Sequence, residues 1–152
     1  FYSKPIMGNF LKDLKRGHKA EQYVIKQLGR EHENLHAVEG SFKDYDLIAD
    51  DGYTAEVKYD ELSEKTGNVG FEYECYGKES GVASTKAFEW VHIYKLNRVW
   101  VYSTISTNSL KSFLKANWKY LDKVKGGDNN ASKMVLLSAS DLADSFGFKF
   151  IL

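Results

Sequence analysis

Apolar positions in this 152-residue chain fall into helical and alternating patterns separated by turn-forming residues. Phe10, Leu14, Val24, Ile25 and Leu28 form a broken stripe that predicts a first helix over 9–29, with Gly29 as its stop. Gly17 is a point where that helix can divide. LHAVEG at 35–40 is a short strand candidate. YDLIAD at 45–50 and YTAEVKYD at 53–60 alternate more clearly, and Asp51-Gly52 between them is a hairpin signal. The polar, turn-rich ELSEKTGNVG at 61–70 is expected to be a loop, and FEYECYG at 71–77 a further strand. TKAFEWVHIYK at 85–95 predicts a helix capped by Ser84 or Thr85. RVWVYSTI at 98–105 is β-prone. Asn108 or Ser109 would then cap an amphipathic helix running to about residue 125, with Leu110, Phe113, Leu114, Trp118, Leu121 and Val124 on its apolar face and Gly126-Gly127 after it. MVLLS at 134–138 reads as a core strand, 140–146 as a short helix and FKFIL as an apolar tail.

This order, helix, three strands, a possible fourth, helix, strand, helix, strand, predicts a single mixed α/β domain. The domain is expected over 8–152, with residues 1–7 a non-native or flexible leader and Met7 the candidate start. No run approaches the ~20 apolar residues of a membrane span, so no membrane partner is expected. Cys75 is the only cysteine, which excludes an intramolecular disulfide or cysteine-based zinc site and fits a reducing, intracellular compartment. His18, His32, His36 and His92 have neither HxH nor HExxH spacing, which argues against a zinc hydrolase.

Charge changes the picture. The formal net charge is zero, but residues 30–79 hold 14 acidic and 5 basic side chains, and the remainder 7 acidic and 16 basic. Such a division suits a protein that gathers cations at one place and a polyanion around it, although scattered solvated charge is the plainer reading. The acidic region centres on KDYDLIADDGYTAEVKYDE. Glu56 and Lys58 stand two apart on a predicted strand and so share a face, opposite Ala55 and Val57. A three-residue turn at Asp50, Asp51 and Gly52 would pair Ala49 with Tyr53 and set Asp46 opposite Glu56. A two-residue turn would set Val57 there instead. Two facing carboxylates repel unless a cation joins them, and Mg²⁺ prefers carboxylate, water and phosphate oxygens. Lys58 beside them can orient water or carry charge on a phosphate, the parts that metal-assisted phosphodiester hydrolysis requires. A salt-bridged Glu56–Lys58 strand face is the alternative. Glu72 and Glu74, on one face of the next strand, and Asp60 are further carboxylates able to line a cleft, with Phe71, Tyr73 and Cys75 on the core side.

YDLIA, followed ten residues after its Asp by EVK, resembles the catalytic core of the PD-(D/E)XK nuclease superfamily. The resemblance covers roughly residues 17–105 and departs at Tyr45, where the motif name has proline. It implies a restriction-endonuclease-like αβββαβ core, a mixed sheet flanked by helices, with a helical and strand extension at the C-terminus. It also implies a DNA endonuclease that uses Mg²⁺, with Mn²⁺ able to replace it, in which Asp46 and Glu56 bind metal and Lys58 assists the attacking water. KRGHKAEQYVIKQL resembles the opening helix of Holliday-junction resolvase-like members, which makes Glu21 a further metal ligand. Lys86, in the first turn of the predicted 85–95 helix, matches a polar residue that such a helix often supplies.

Lys111, Lys115 and Lys119 repeat every four residues along the predicted long helix, with Lys123 and Lys125 beyond. Lys12, Lys15, Arg16, His18 and Lys19 cluster in the first helix. Both groups are candidate phosphate contacts, and both also fit a solvated helix face. The expected partner is DNA, and the resemblance implies a homodimer or higher symmetric homo-oligomer in the cytoplasm of a bacterial, archaeal or phage-infected cell. A homing or restriction-type endonuclease, and a non-catalytic DNA-binding module on the same fold, remain open alternatives.

Overall fold

WVHIY at 90–94 is a run of β-branched and aromatic residues, and in the computed structural model, which describes residues 18–40 and 44–151, it is the most deeply buried strand. This strand, Glu89–Leu96, replaces the helix expected over 85–95. Ala87, Trp90, Val91 and Tyr94 mimic helical spacing because a strand covered on both faces loses its alternation of apolar and polar residues.

The elements in chain order are α1 (His18–Leu28), β1 (His36–Ala37), β2 (Leu47–Ile48), β3 (Thr54–Tyr59), α2 (Ser63–Thr66), β4 (Asn68–Cys75), β5 (Lys78–Glu79), β6 (Glu89–Leu96), β7 (Val99–Ser106), α3 (Thr107–Asn117), β8 (Asp122–Gly126), β9 (Ser132–Ser138), α4 (Ala139–Phe146) and β10 (Lys149–Phe150). They build a six-stranded mixed sheet, ordered β1-β2-β3-β6-β7-β10, and a four-stranded antiparallel sheet, ordered β5-β4-β9-β8. In the larger sheet only β3 and β6 are parallel. Parallel neighbours need a long crossover. Here it carries the four-residue α2, β4, β5 and a 3-10 turn (Gly81–Ala83), in place of the 85–95 helix expected before the last strand of the αβββαβ order. The α/β class and mixed sheet agree with expectation.

Two apolar clusters lie on opposite faces of the larger sheet. Ala20, Tyr23, Val24 and Leu28 of α1 pack against Ala55, Val57, Val91 and Ile93. Trp90, Tyr94, Val101 and Ile105 pack on the other side with Val69, Phe71, Val135 and Leu137 of the second sheet and with Leu110 and Leu142 of α3 and α4. Ser106 caps α3, its Oγ accepting from Ser109 N at 3.1 Å, two or three residues before the expected caps. The helix stops at Asn117, whose Nδ2 donates to Phe113 O at 2.8 Å. The chain then turns through Trp118–Tyr120 into β8, so the predicted helix to residue 125 is two elements. Lys123 and Lys125 sit on β8, an outer strand, where charge discourages pairing with other chains. The predicted loop at 61–70 contains α2 and the start of β4. The part of the first predicted helix before residue 18, with Lys12, Lys15 and Arg16, lies outside the described residues, as does the leader at 1–7. Among the described residues, no helix is long and apolar enough to cross a membrane.

Candidate active site

The β2–β3 hairpin turns at Asp50, Asp51 and Gly52, the three-residue form on which the sequence argument depended. Ala49 N donates to Tyr53 O at 2.9 Å and Gly52 takes a φ of 87°. Leu47 lies opposite Ala55 and Ile48 opposite Thr54, and Asp46 N donates to Ala55 O at 3.0 Å, which holds Asp46 against β3 near Glu56, whose carboxyl feels the Asp46 charge. Asp46 is buried, and its Oδ2 accepts from Val57 N at 2.8 Å, which aims the carboxyl toward β3. The parallel pairing sets Glu56 beside Trp90 and Lys58 beside His92. Glu56 and Lys58 therefore belong to the face opposite the α1 core, as their spacing implied.

Burial raises the Glu56 carboxyl above its ordinary pKa, and the neighbouring Asp46 charge raises it further. Lys58 and a hydrogen bond from Thr85 act the other way. Thr85 Oγ1 donates to Glu56 Oε1 at 3.0 Å, and Lys58 Nζ lies 3.7 Å from Glu56 Oε2. The Glu56 side chain is 15% exposed and that of Lys58 44%. The ammonium thus reaches solvent while the carboxyls are enclosed. Lys58 Nζ also stands 6.0 Å from the centroid of the Trp90 ring.

A cleft of about 300 Å³ opens beside Lys58, lined by Asp60, Glu72, Trp90 and His92 among others. Behind it runs a buried chain of hydrogen bonds. Trp90 Nε1 donates to His92 Nδ1 at 3.1 Å, and His92 Nε2 is 2.9 Å from Asp60 Oδ2. An indole N–H only donates, so Nδ1 accepts and the ring proton sits on Nε2, facing Asp60. Gly70 N donates to the same Asp60 oxygen at 2.8 Å, tying β3 and β6 to the second sheet.

Other predicted residues fall elsewhere. Glu21 is half-buried in the first turn of α1, the helix whose Ala20, Tyr23 and Val24 pack on the Ala55–Val57 face. Lys86 lies in the loop before β6 with its side chain exposed, and its N–H donates to Asp44 O at 3.0 Å. No helix starts there, so Lys86 does not stand in the first turn of a helix as expected. A bulge between Glu72 and Glu74 breaks the strand's alternation. Glu72 lines the cleft, whereas Glu74 pairs with Lys133 at 2.9 Å. Phe71 is core as expected, but Tyr73 and Cys75 are only half-buried. Lys19 is exposed on α1. Lys111 and Lys115 share α3, but Lys119 falls past its end, so the lysine stripe is interrupted.

Thr85 and His92 were not singled out for the site. In the sequence Thr85 reads as a helix cap, and His92 falls within the helix expected over 85–95. Their signal was available in the pairing that follows once 89–96 is drawn as a strand parallel to 54–59.

Asp46 and Glu56 suit a hard divalent cation. Among the described residues, no three His, Cys, Asp or Glu side chains gather as a metal-holding group. Magnesium, however, is commonly held by one or two carboxylates, with water and substrate phosphate completing its shell. The conflict between the two carboxyls is what such a cation would relieve. Comparison with known proteins adds nothing to this arrangement: no protein-family model and no curated protein matches the sequence.

Proposed function

We propose that the protein is a Mg²⁺-dependent DNA endonuclease of PD-(D/E)XK type, hydrolysing phosphodiesters with Asp46, Glu56 and Lys58. The observation that carries this reading is the half-enclosed Asp46–Glu56 carboxyl pair with the Lys58 ammonium 3.7 Å from Glu56. Asp46 and Glu56 would hold the cation, which when bound supplies Lewis-acid charge to the phosphate. Val57 N and Thr85 Oγ1 hold the two carboxyls in place through their hydrogen bonds. Lys58, open to the cleft, orients the attacking water or carries charge that develops on the phosphate oxygens. The crossover from β3 to β6 departs from the αβββαβ order, but the three groups depend on the β2–β3 hairpin and not on that crossover. Cutting both strands of a duplex would take two such sites, which favours a symmetric dimer.

The test is cleavage of supercoiled, linear, branched and single-stranded DNA in Mg²⁺ or EDTA by wild type, Lys58→Ala and Asp46→Asn. Wild type should cut only with the metal, and each variant should lose about 10²–10³-fold in rate, as expected for removing one charge-stabilising group. Cutting in EDTA, or full activity in both variants, would overturn the assignment.

A further inference from the structure

Where α3 ends, a groove of about 330 Å³ opens with an apolar floor and a cationic rim. Tyr73, Val82, Leu114 and Trp118 form the floor, and Lys111 and Lys115 stand along one side. Four residues apart on α3, these lysines are neighbours on the helix surface. Tyr73 and Trp118 meet edge to face, with centroids 5.0 Å apart. Further cations accompany the aromatics here: Lys123 Nζ lies 5.1 Å from the Trp118 ring centroid, and Lys119 Nζ 5.2 Å from that of exposed Tyr120. Glu79 is the acidic lining residue, exposed on the outer strand β5 where water screens it.

An occupant must bring flat apolar surface for the floor and regularly spaced negative charge for the lysines. An unpaired polynucleotide strand offers both, whereas a duplex hides its base faces in its own stack. One residue of the groove wall lies close in the chain to a partner of the carboxyl pair. Ala83 lines the groove, and Thr85, two residues on, donates to Glu56. Two residues span at most about 7 Å.

We infer that this groove binds an unpaired DNA strand, one base entering against Tyr73 and Trp118 while flanking phosphates lie on Lys111 and Lys115. The inference rests on the nuclease reading for the identity of its polynucleotide. It makes the substrate a DNA with an unpaired segment beside the cut, such as a branch, flap or single strand.

Binding measured in EDTA tests this without cleavage. Of the three tryptophans, Trp90 and Trp100 are 1% and 5% exposed and Trp118 is 37%, so quenching reports mainly on the groove. A single-stranded 12-mer should quench wild-type fluorescence and bind more tightly than a blunt duplex of the same sequence. By anisotropy of a labelled 12-mer, Trp118→Ala should weaken binding roughly 5- to 150-fold, the range for losing one stacked base. Trp118→Phe, which keeps a stacking ring, should restore most of it. Lys111→Gln with Lys115→Gln should make the slope of log affinity against log salt shallower by about 1.4, a readout that does not require the tryptophan variant to fold. Equal affinity for duplex and single strand, or an unchanged salt slope in the lysine variant, would overturn the inference. Tighter binding of the matching RNA would overturn DNA as the ligand. Tight single-strand binding by a protein that cuts nothing in Mg²⁺ would remove the nuclease reading and leave the groove. Normal cutting without selective binding would do the reverse.

Discussion

β3 and β6 run side by side in parallel and face the same two directions, yet they use their second faces differently. Toward α1 they are alike: Ala55, Val57, Val91 and Ile93 are all enclosed. On the other side, β6 presents Trp90, His92 and Tyr94 to the second sheet and is fully covered, while the neighbouring Glu56 and Lys58 of β3 stay partly open. The contrast shows how the fold raises the pKa of a carboxyl that still touches solvent. The covered half of the face is a dry wall beside Glu56, and burial is the foremost cause that raises its carboxyl. The open half leaves Lys58 in contact with water, and on the proposed function cation and substrate would enter there.

Breaking the enclosed face should have the largest effect. Ile93→Ala removes a side chain with no exposure and should cost about 2–5 kcal/mol, read as a lower urea midpoint with an unchanged slope. A loss below 1 kcal/mol would mean that the α1 face is less tightly packed than its burial implies. On the open face, Mg²⁺ at a hundred times its Kd should stabilise the protein by about 2.7 kcal/mol, and Asp46→Asn should abolish the gain. An equal gain in that variant would place the cation elsewhere. The covered polar chain is tested by His92→Leu, which strips the Trp90 N–H and Asp60 of a partner and should cost about 1–3 kcal/mol in thermal unfolding. An unchanged Tm would show that those bonds do not hold the wall.

Glu56→Gln should have the smallest effect, and it should be stabilising. The folded-state pKa of Glu56 lies above the ordinary 4.5, so the native protein binds more protons than the unfolded chain across that window. The stability this contributes is complete below the ordinary value and is lost as pH rises through the raised one. Without metal, the variant should therefore melt slightly above wild type at neutral pH, and its advantage should shrink on acidification. A wild type that melts higher at neutral pH would deny the carboxyl conflict.

The hairpin that carries the carboxyl pair was legible because Asp51-Gly52 and the alternation of 53–60 are local signals. β6 was not, because a strand buried on both faces shows no alternation, and its aromatics fell at helical spacing. α3 was overextended because Leu121 packs in the second core at a position that also continues a helical stripe. The second sheet was out of reach for another reason: β4 pairs with β9, Val69 opposite Leu137, and no local pattern announces so distant a partner. Asp46, Glu56 and Lys58 could thus be proposed from spacing, turn chemistry and the family resemblance together, whereas Thr85, His92 and the Tyr73–Trp118 groove depend on long-range pairing.

The β6–β7 turn bears on the order in which the molecule assembles. Asn97 and Arg98 both have positive φ, 48° and 72°, and close eight consecutive residue pairs through a two-residue loop. Such hairpins form in about 1–10 μs, whereas joining β3 to β6 must wait for residues 60–88 to close, with β4 seeking a partner far along the chain. Folding φ-values should accordingly be high at Ile105 and low at Val57, and the reverse pattern would refute this order. Asp46 and Glu56 can meet early in their own short hairpin, but Thr85 and Trp90 arrive beside them late. While such a pair is bathed in water the repulsion between its charges is weak, and burial in the finished protein strengthens it.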